Sequence, residues 1–120
     1  MTTTIDTWAW MEYFNGSQAG QRVKQLVEGS EEICTPSLVL LEFKAKYLRE
    51  KKPFEERVGF ICKRTRIVPL SKEIALAAAE YKLKGLHASD AIIYATARAV
   101  NSTLLTGDKH FTGMEHVEML

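Results

Sequence analysis

Ala88-Ser89-Asp90-Ala91-Ile92-Ile93-Tyr94-Ala95-Thr96-Ala97-Arg98-Ala99-Val100 reads as one helix, and Thr103-Leu104-Leu105-Thr106, closing on Gly107-Asp108, reads as the strand after it. Ala88, Ala91, Ala95 and Ala99 recur at helical spacing, so one flank is lined with small side chains that let a neighbouring layer approach closely. A long helix feeding a short apolar strand is half of a crossover between parallel strands. The rest of the chain decides whether the other half exists.

It does, several times over. Thr2 to Ile5 is a β-branched run that stops at Asp6, and Trp8, Met11 and Phe14 then recur along an apolar helix from Thr7 to Phe14. Beyond Asn15-Gly16, a helix from about Ser17 to Glu28 carries Val23, Leu26 and Val27 on one face and closes at Gly29. Ile33 to Thr35 reads as a second strand, with Thr35 as N-cap and Pro36 as first residue of a helix running to about Lys51. Pro53 opens a helix with the stripe Phe54, Val58 and Ile61, Arg66 to Leu70 forms a third strand, and Ser71 caps a helix that ends near Gly85. His116 to Leu120 supplies a fifth strand. Strands and helices alternate with no two-residue hairpin turn between strand patterns, which predicts an α/β fold: a mostly parallel sheet with helices on both faces.

The 120 residues fit one domain, 1–120, with ordinary values of 46% hydrophobic and 26% charged residues. No apolar run approaches the ~20 residues of a membrane span, and MTTTIDTWAW carries no signal-peptide pattern, so the expectation is a cytoplasmic protein with no membrane association. Cys34 and Cys62 form no metal or disulfide motif and read as reduced core residues. The net charge of +1 conceals a basic stretch. Nine of the sixteen basic residues (Lys44, Lys46, Arg49, Lys51, Lys52, Arg57, Lys63, Arg64, Arg66) fall between positions 44 and 66, against Glu50, Glu55 and Glu56. Such a stretch serves either as a solvated face or as the footprint of a polyanion or acidic partner.

Ligands of open parallel sheets bind beyond the carboxyl ends of the strands. Asp6 and Asp108 stand there, directly after the first and fourth strands. Glu42 and Asp90 interrupt stretches that otherwise look buried, where a lone carboxylate is costly. Each has an ordinary alternative: Asp90 in the positive first turn of its helix, Glu42 paired with Lys46 one turn on. If the four acids converge, their repulsion demands a cation, and hard oxygen ligands select Mg²⁺ or Mn²⁺. Magnesium held this way typically shares its sphere with substrate phosphates, which points to phosphodiester chemistry.

Four segments carry a family likeness: Ile5-Asp6-Thr7; Glu42 on the helix after Thr35-Pro36-Ser37; Ala88 to Ala97 around Asp90; and Leu104-Leu105-Thr106-Gly107-Asp108-Lys109-His110-Phe111. In this order the chain resembles a PIN-domain ribonuclease, and in particular the VapC toxins of VapBC-type toxin–antitoxin pairs. The resemblance implies a three-layer α/β/α sandwich with about five strands. It implies that Asp6, Glu42, Asp90 and Asp108 meet in one pocket holding one or two Mg²⁺ or Mn²⁺ ions. It further implies cation-dependent attack of water on an RNA phosphodiester, Thr106 as a supporting hydroxyl with Thr7 a second candidate, a homodimer, and a small VapB-like antitoxin as partner. Lys44, Lys46 and Arg49 follow Glu42 on its helix and are candidates for the RNA backbone, while Lys51, Lys52 and Arg57 could instead meet the antitoxin. Trp8 and Trp10 flank the first acid and read as core or dimer contacts rather than stacking platforms.

Competing constellations are weak. His87, His110 and His116 are isolated, and no nucleophile elbow, phosphate loop or dinucleotide fingerprint is present. Trp8 occupies the place of the second Asp of a haloacid-dehalogenase-type phosphatase. A non-catalytic PIN-type scaffold and a structure-specific DNA nuclease are the alternatives to the ribonuclease.

Overall fold

The computed structural model describes residues 2–120. In chain order the elements are β1 (Thr2–Ile5), α1 (Thr7–Asn15), α2 (Gln21–Glu28), β2 (Glu32–Pro36), α3 (Ser37–Arg49), α4 (Glu55–Arg64), β3 (Arg66–Val68), α5 (Lys72–Leu83), α6 (Ala88–Ala99), β4 (Thr103–Thr106) and β5 (Val117–Met119). A 3₁₀ turn, Lys109–Phe111, follows β4. The five strands lie in the order β3-β2-β1-β4-β5, and every pairing is parallel. From β1 the chain steps outward through β2 to β3, then returns to lay β4 on the other side of β1. With right-handed crossovers, the outward and returning helices cover opposite faces, giving three layers.

The core explains the order. Ile5, Ile33, Leu104 and Leu105 on the strands, with Trp10, Val39, Phe43, Ile61 and Phe111 from the connections, are all but fully buried. Each such side chain contributes roughly 1.5–3 kcal/mol of burial free energy. Buried hydroxyls are paired: Thr4 Oγ1 and Ser102 Oγ lie 2.6 Å apart, joining β1 to the approach to β4. Among the described residues no buried side-chain nitrogen or oxygen lacks a partner. No helix of the described residues is long and apolar enough to cross a membrane.

Several boundaries differ from the sequence reading for local reasons. Thr35 is not an N-cap; it completes β2, where its hydroxyl accepts from Trp10 Nε1 at 3.2 Å and pairs with Thr65 Oγ1 at 2.9 Å. The cap of α3 is extended Pro36. α2 begins at Gln21, because Ser17 is held in the α1–α2 turn by Glu12 and accepts from Gly20 N. Gly20 is required in that turn, since a Cβ there would sit 2.4 Å from Glu12 O. β3 stops at Val68, before Pro69, and Leu70 N turns to donate to Ser37 Oγ at 3.2 Å. Ser71 caps α5 as expected, accepting from Ile74 N. Cys34 is buried, but Cys62 is exposed on α4 and is no core residue.

Candidate active site

The strand order reverses between β1 and β4, which makes the crevice at their carboxyl ends the topological switch point. Asp6 and Asp108 sit there. Asp6 N donates to Leu105 O at 3.3 Å, so Asp6 continues the β1–β4 ladder before the chain turns into α1. Its carboxylate then caps that helix, Oδ1 accepting from Ala9 N at 2.8 Å. Thr106 Oγ1 donates to Asp6 Oδ2, and the same hydroxyl oxygen accepts from Asp108 N at 3.0 Å. Asp108 caps the 3₁₀ turn through His110 N at 2.9 Å, and Phe111, fully buried beyond it, anchors the turn in the core.

Helices bring the other two acids. Asp90 lies in the first turn of α6, so the helix-start placement and the site placement hold together. Glu42 lies inside α3, where Oε1 accepts from Thr7 Oγ1 at 2.6 Å. Thr7 thus supports Glu42, and Thr106 supports Asp6. The four carboxylates line one cavity of about 460 Å³. Burial, reinforced by the charges of Asp108 and Glu42, pushes the Asp6 carboxyl from 3.8 to about 7, against the hydrogen bonds from Thr106 and Ala9 that pull it down. Asp90 is also raised, first by burial and then by Asp108, with His110 and His87 opposing.

Two helices form the walls. Along α1, Trp8, Glu12 and Asn15 line the cavity at i, i+4 and i+7; along α3, Glu42, Lys46 and Arg49 do the same. Lys46 does not pair with Glu42; its Nζ lies 3.0 Å from Glu50 Oε2. Lys44, two residues from Glu42, falls on another side of α3, with Nζ 4.9 Å from the centre of the Phe54 ring and outside the cavity lining. Two residues acquire a place that spacing did not show. His110 Nδ1 lies 2.8 Å from Asp108 Oδ1 and 3.5 Å from Asp90 Oδ2, and the three side chains offer ligand atoms within 4.8 Å of one another. The signal was its position two residues after Asp108, readable only once the turn is known. Trp10 is core as expected, but Trp8 is 38% exposed and lines the cavity.

This donor set fits a hard divalent cation. Carboxylate oxygens dominate it, and a positive charge among them would offset the burial and the mutual repulsion that raise Asp6 and Asp90. Asp6, Glu42, Asp90 and Asp108 are the residues that could hold it, with His110 as a nitrogen donor at the rim.

A family model described as PIN domain matches residues 3–117. No curated protein matches the chain. Among solved structures, the chain is similar to a toxin-antitoxin complex from Klebsiella pneumoniae, with a TM-score of 0.81 and 22% identity over 98% of this chain and 96% of that one. It is also similar to VapBC2 from Rickettsia felis bound to a DNA fragment from their promoter, at 0.70 and 21% over 100% and 98%. A third likeness is to Mycobacterium tuberculosis VapC20, a sarcin-ricin loop cleaving toxin, at 0.65 and 17% over 85% and 86%. These likenesses are of fold, while the family match runs from β1 into β5 and so embraces every strand that builds the crevice; this chain belongs to the PIN domain family.

Proposed function

We propose that this protein is a divalent-metal-dependent endoribonuclease of VapC type, the toxin of a toxin–antitoxin pair acting in the cytoplasm. The observation that carries the reading is the convergence of Asp6, Glu42, Asp90 and Asp108 on one cavity at the switch point of the sheet. One or two Mg²⁺ or Mn²⁺ ions, when bound, supply Lewis-acid polarisation of a phosphodiester and lower the pKa of water. The protein's share is positioning. Thr106 and Thr7 fix the orientations of Asp6 and Glu42, and the 3₁₀ turn holds Asp108 and His110 together. Lys46 and Arg49 stand on the same wall as Glu42, where they meet the flanking backbone that the acids alone would repel. The attacking group in this reading is water, since the Thr7 hydroxyl that lines the cavity already donates to Glu42 Oε1.

The partners follow from surfaces. The relatives from Klebsiella pneumoniae and Rickettsia felis are toxin-antitoxin assemblies. A second cavity of about 540 Å³, lined by Tyr13, Phe14 and Phe60 with Lys24, Arg57 and Glu56 among its charged residues, offers a small antitoxin an aromatic groove with a charged edge. Arg57 is held there by Tyr47 and lies 5.3 Å from the Phe14 ring centre. Leu41 and Leu48 on α3 and Leu76 and Leu83 on α5 are exposed, which suits a homodimer.

Calorimetric titration of Mn²⁺ into wild type and Asp90→Asn, followed by incubation of both with a mixed RNA pool, tests the reading. Wild type binds the metal and cleaves; the variant, of equal size and less charge, stays folded and does neither. A folded wild type that binds no Mn²⁺ overturns the proposal.

A further inference from the structure

Trp8 is the second residue of α1, two positions after the acid that caps it. Its six-membered ring rests on Gly107: a Cβ at that glycine would lie 2.2 Å from Cζ3 and 2.4 Å from Cε3. The backbone of Gly107 is not in the left-handed region, so the glycine serves close approach rather than a turn. It seats the indole directly beside Thr106 and Asp108. The ring lies outside the hydrophobic core, to which Trp10, fully buried, belongs. Trp8 instead keeps 38% of its surface open at the mouth of the acidic cavity. Leaving a flat apolar face in water is unfavourable in the free protein, and the loss is recovered when something flat covers it.

The opposite wall indicates what that is. Lys46 and Arg49 on α3 bring cations to the cavity and Trp8 on α1 brings an aromatic ring, in company with the four acids. A single-stranded nucleic acid divides its chemistry the same way, into an anionic backbone and stackable bases. Resting on the ribonuclease reading, we propose that Trp8 is the stacking platform for the nucleobase next to the scissile phosphodiester. The site therefore takes unpaired RNA, in loops or single strands, and discriminates against duplex, whose bases are already stacked.

The test measures binding without turnover, in the Asp90→Asn background, by anisotropy of a fluorescein-labelled random RNA decamer. An RNA duplex and inorganic polyphosphate, which has a backbone and no bases, serve as competitors. Trp8→Leu weakens decamer binding roughly tenfold, leaves the slope of log affinity against log salt unchanged and leaves polyphosphate binding unchanged. Trp8→Phe restores affinity to within about threefold. Tryptophan emission of the Trp8 protein is quenched by decamer and not by polyphosphate. Decamer binding unaltered in Trp8→Leu, or polyphosphate binding lost in parallel with it, overturns the stacking role, as does duplex competing as well as the single strand. A parallel assay separates the two readings: wild type that cleaves RNA alongside an equally active Trp8→Leu sinks stacking alone, whereas folded wild type that neither binds Mn²⁺ nor cleaves RNA sinks both.

Discussion

The hydroxyl of Thr106 serves two acids at once, donating its hydrogen to Asp6 Oδ2 and accepting the backbone N–H of Asp108. One side chain thus ties the end of β1 to the residue after β4. Thr106→Val keeps the shape and removes both interactions. Since this hydrogen bond lowers the Asp6 pKa, its loss raises that pKa further and makes deprotonation for metal binding harder. Mn²⁺ affinity should fall roughly tenfold, with the deficit larger at pH 6 than at pH 8. Calorimetry at the two pH values checks this; equal affinity at both sinks the supporting role.

Asp6 also makes the metal-free fold sensitive to pH. Its folded pKa of about 7 lies above the ordinary 3.8, so the folded state holds a proton that the unfolded state has released. Stability from this group therefore declines as pH rises from about 4 to 7 and stays low above that. Asp6→Asn removes the penalty while keeping an oxygen to cap α1. In chelator at pH 8 the variant should melt roughly 5 °C above wild type, and the gap should close by pH 4. A variant less stable at pH 8 contradicts the assignment of a strained carboxylate.

Among the described residues, His110 offers a nitrogen donor within 4.8 Å of carboxylate oxygens of Asp90 and Asp108. Nitrogen ligation favours transition metals, whereas Mg²⁺ prefers oxygen. His110→Ala should weaken Co²⁺ and Mn²⁺ several-fold and Mg²⁺ little, narrowing the preference. Parallel titrations decide; losses equal for all three metals would limit His110 to orienting Asp108.

The two faces of α3 separate backbone contact from bystander charge. Lys46→Glu with Arg49→Glu should weaken RNA binding and reduce the salt slope by about 0.7 for each lost contact. Lys44→Glu, on the flank packed over Phe54, should leave both nearly unchanged. A larger effect from Lys44 than from Arg49 would move the RNA path off the cavity wall.

Periodicity and punctuation were enough to read the strand and helix order, because each element carries its own signal: Ser71 before α5, Gly29 after α2, the alanines of α6. What escaped was governed by distant contacts. Thr35 looks like a helix cap in isolation, but Trp10 Nε1 and Thr65 Oγ1, far away in the chain, hold it in β2. The positions of Asp6 and Asp108 after strands were legible, whereas their closeness depends on β4 pairing with β1 rather than β3, which no local pattern encodes. His110 and Trp8 were invisible as site residues for the same reason: one is placed by a 3₁₀ turn, the other by the absence of a side chain at Gly107.

Because β1 is central, its edge toward β4 stays open while β2, β3 and all six helices are being made. A nascent polypeptide emerging from the ribosome through α6 already carries Asp6, Glu42 and Asp90, yet has neither Thr106 nor Asp108. The contact that closes the crevice joins residues one hundred positions apart, a long loop to close and therefore a late event in folding. The four-acid cluster is thus completed only by the end of the chain: until β4 has been made, Asp6 has neither the hydroxyl that orients it nor Asp108 beside it.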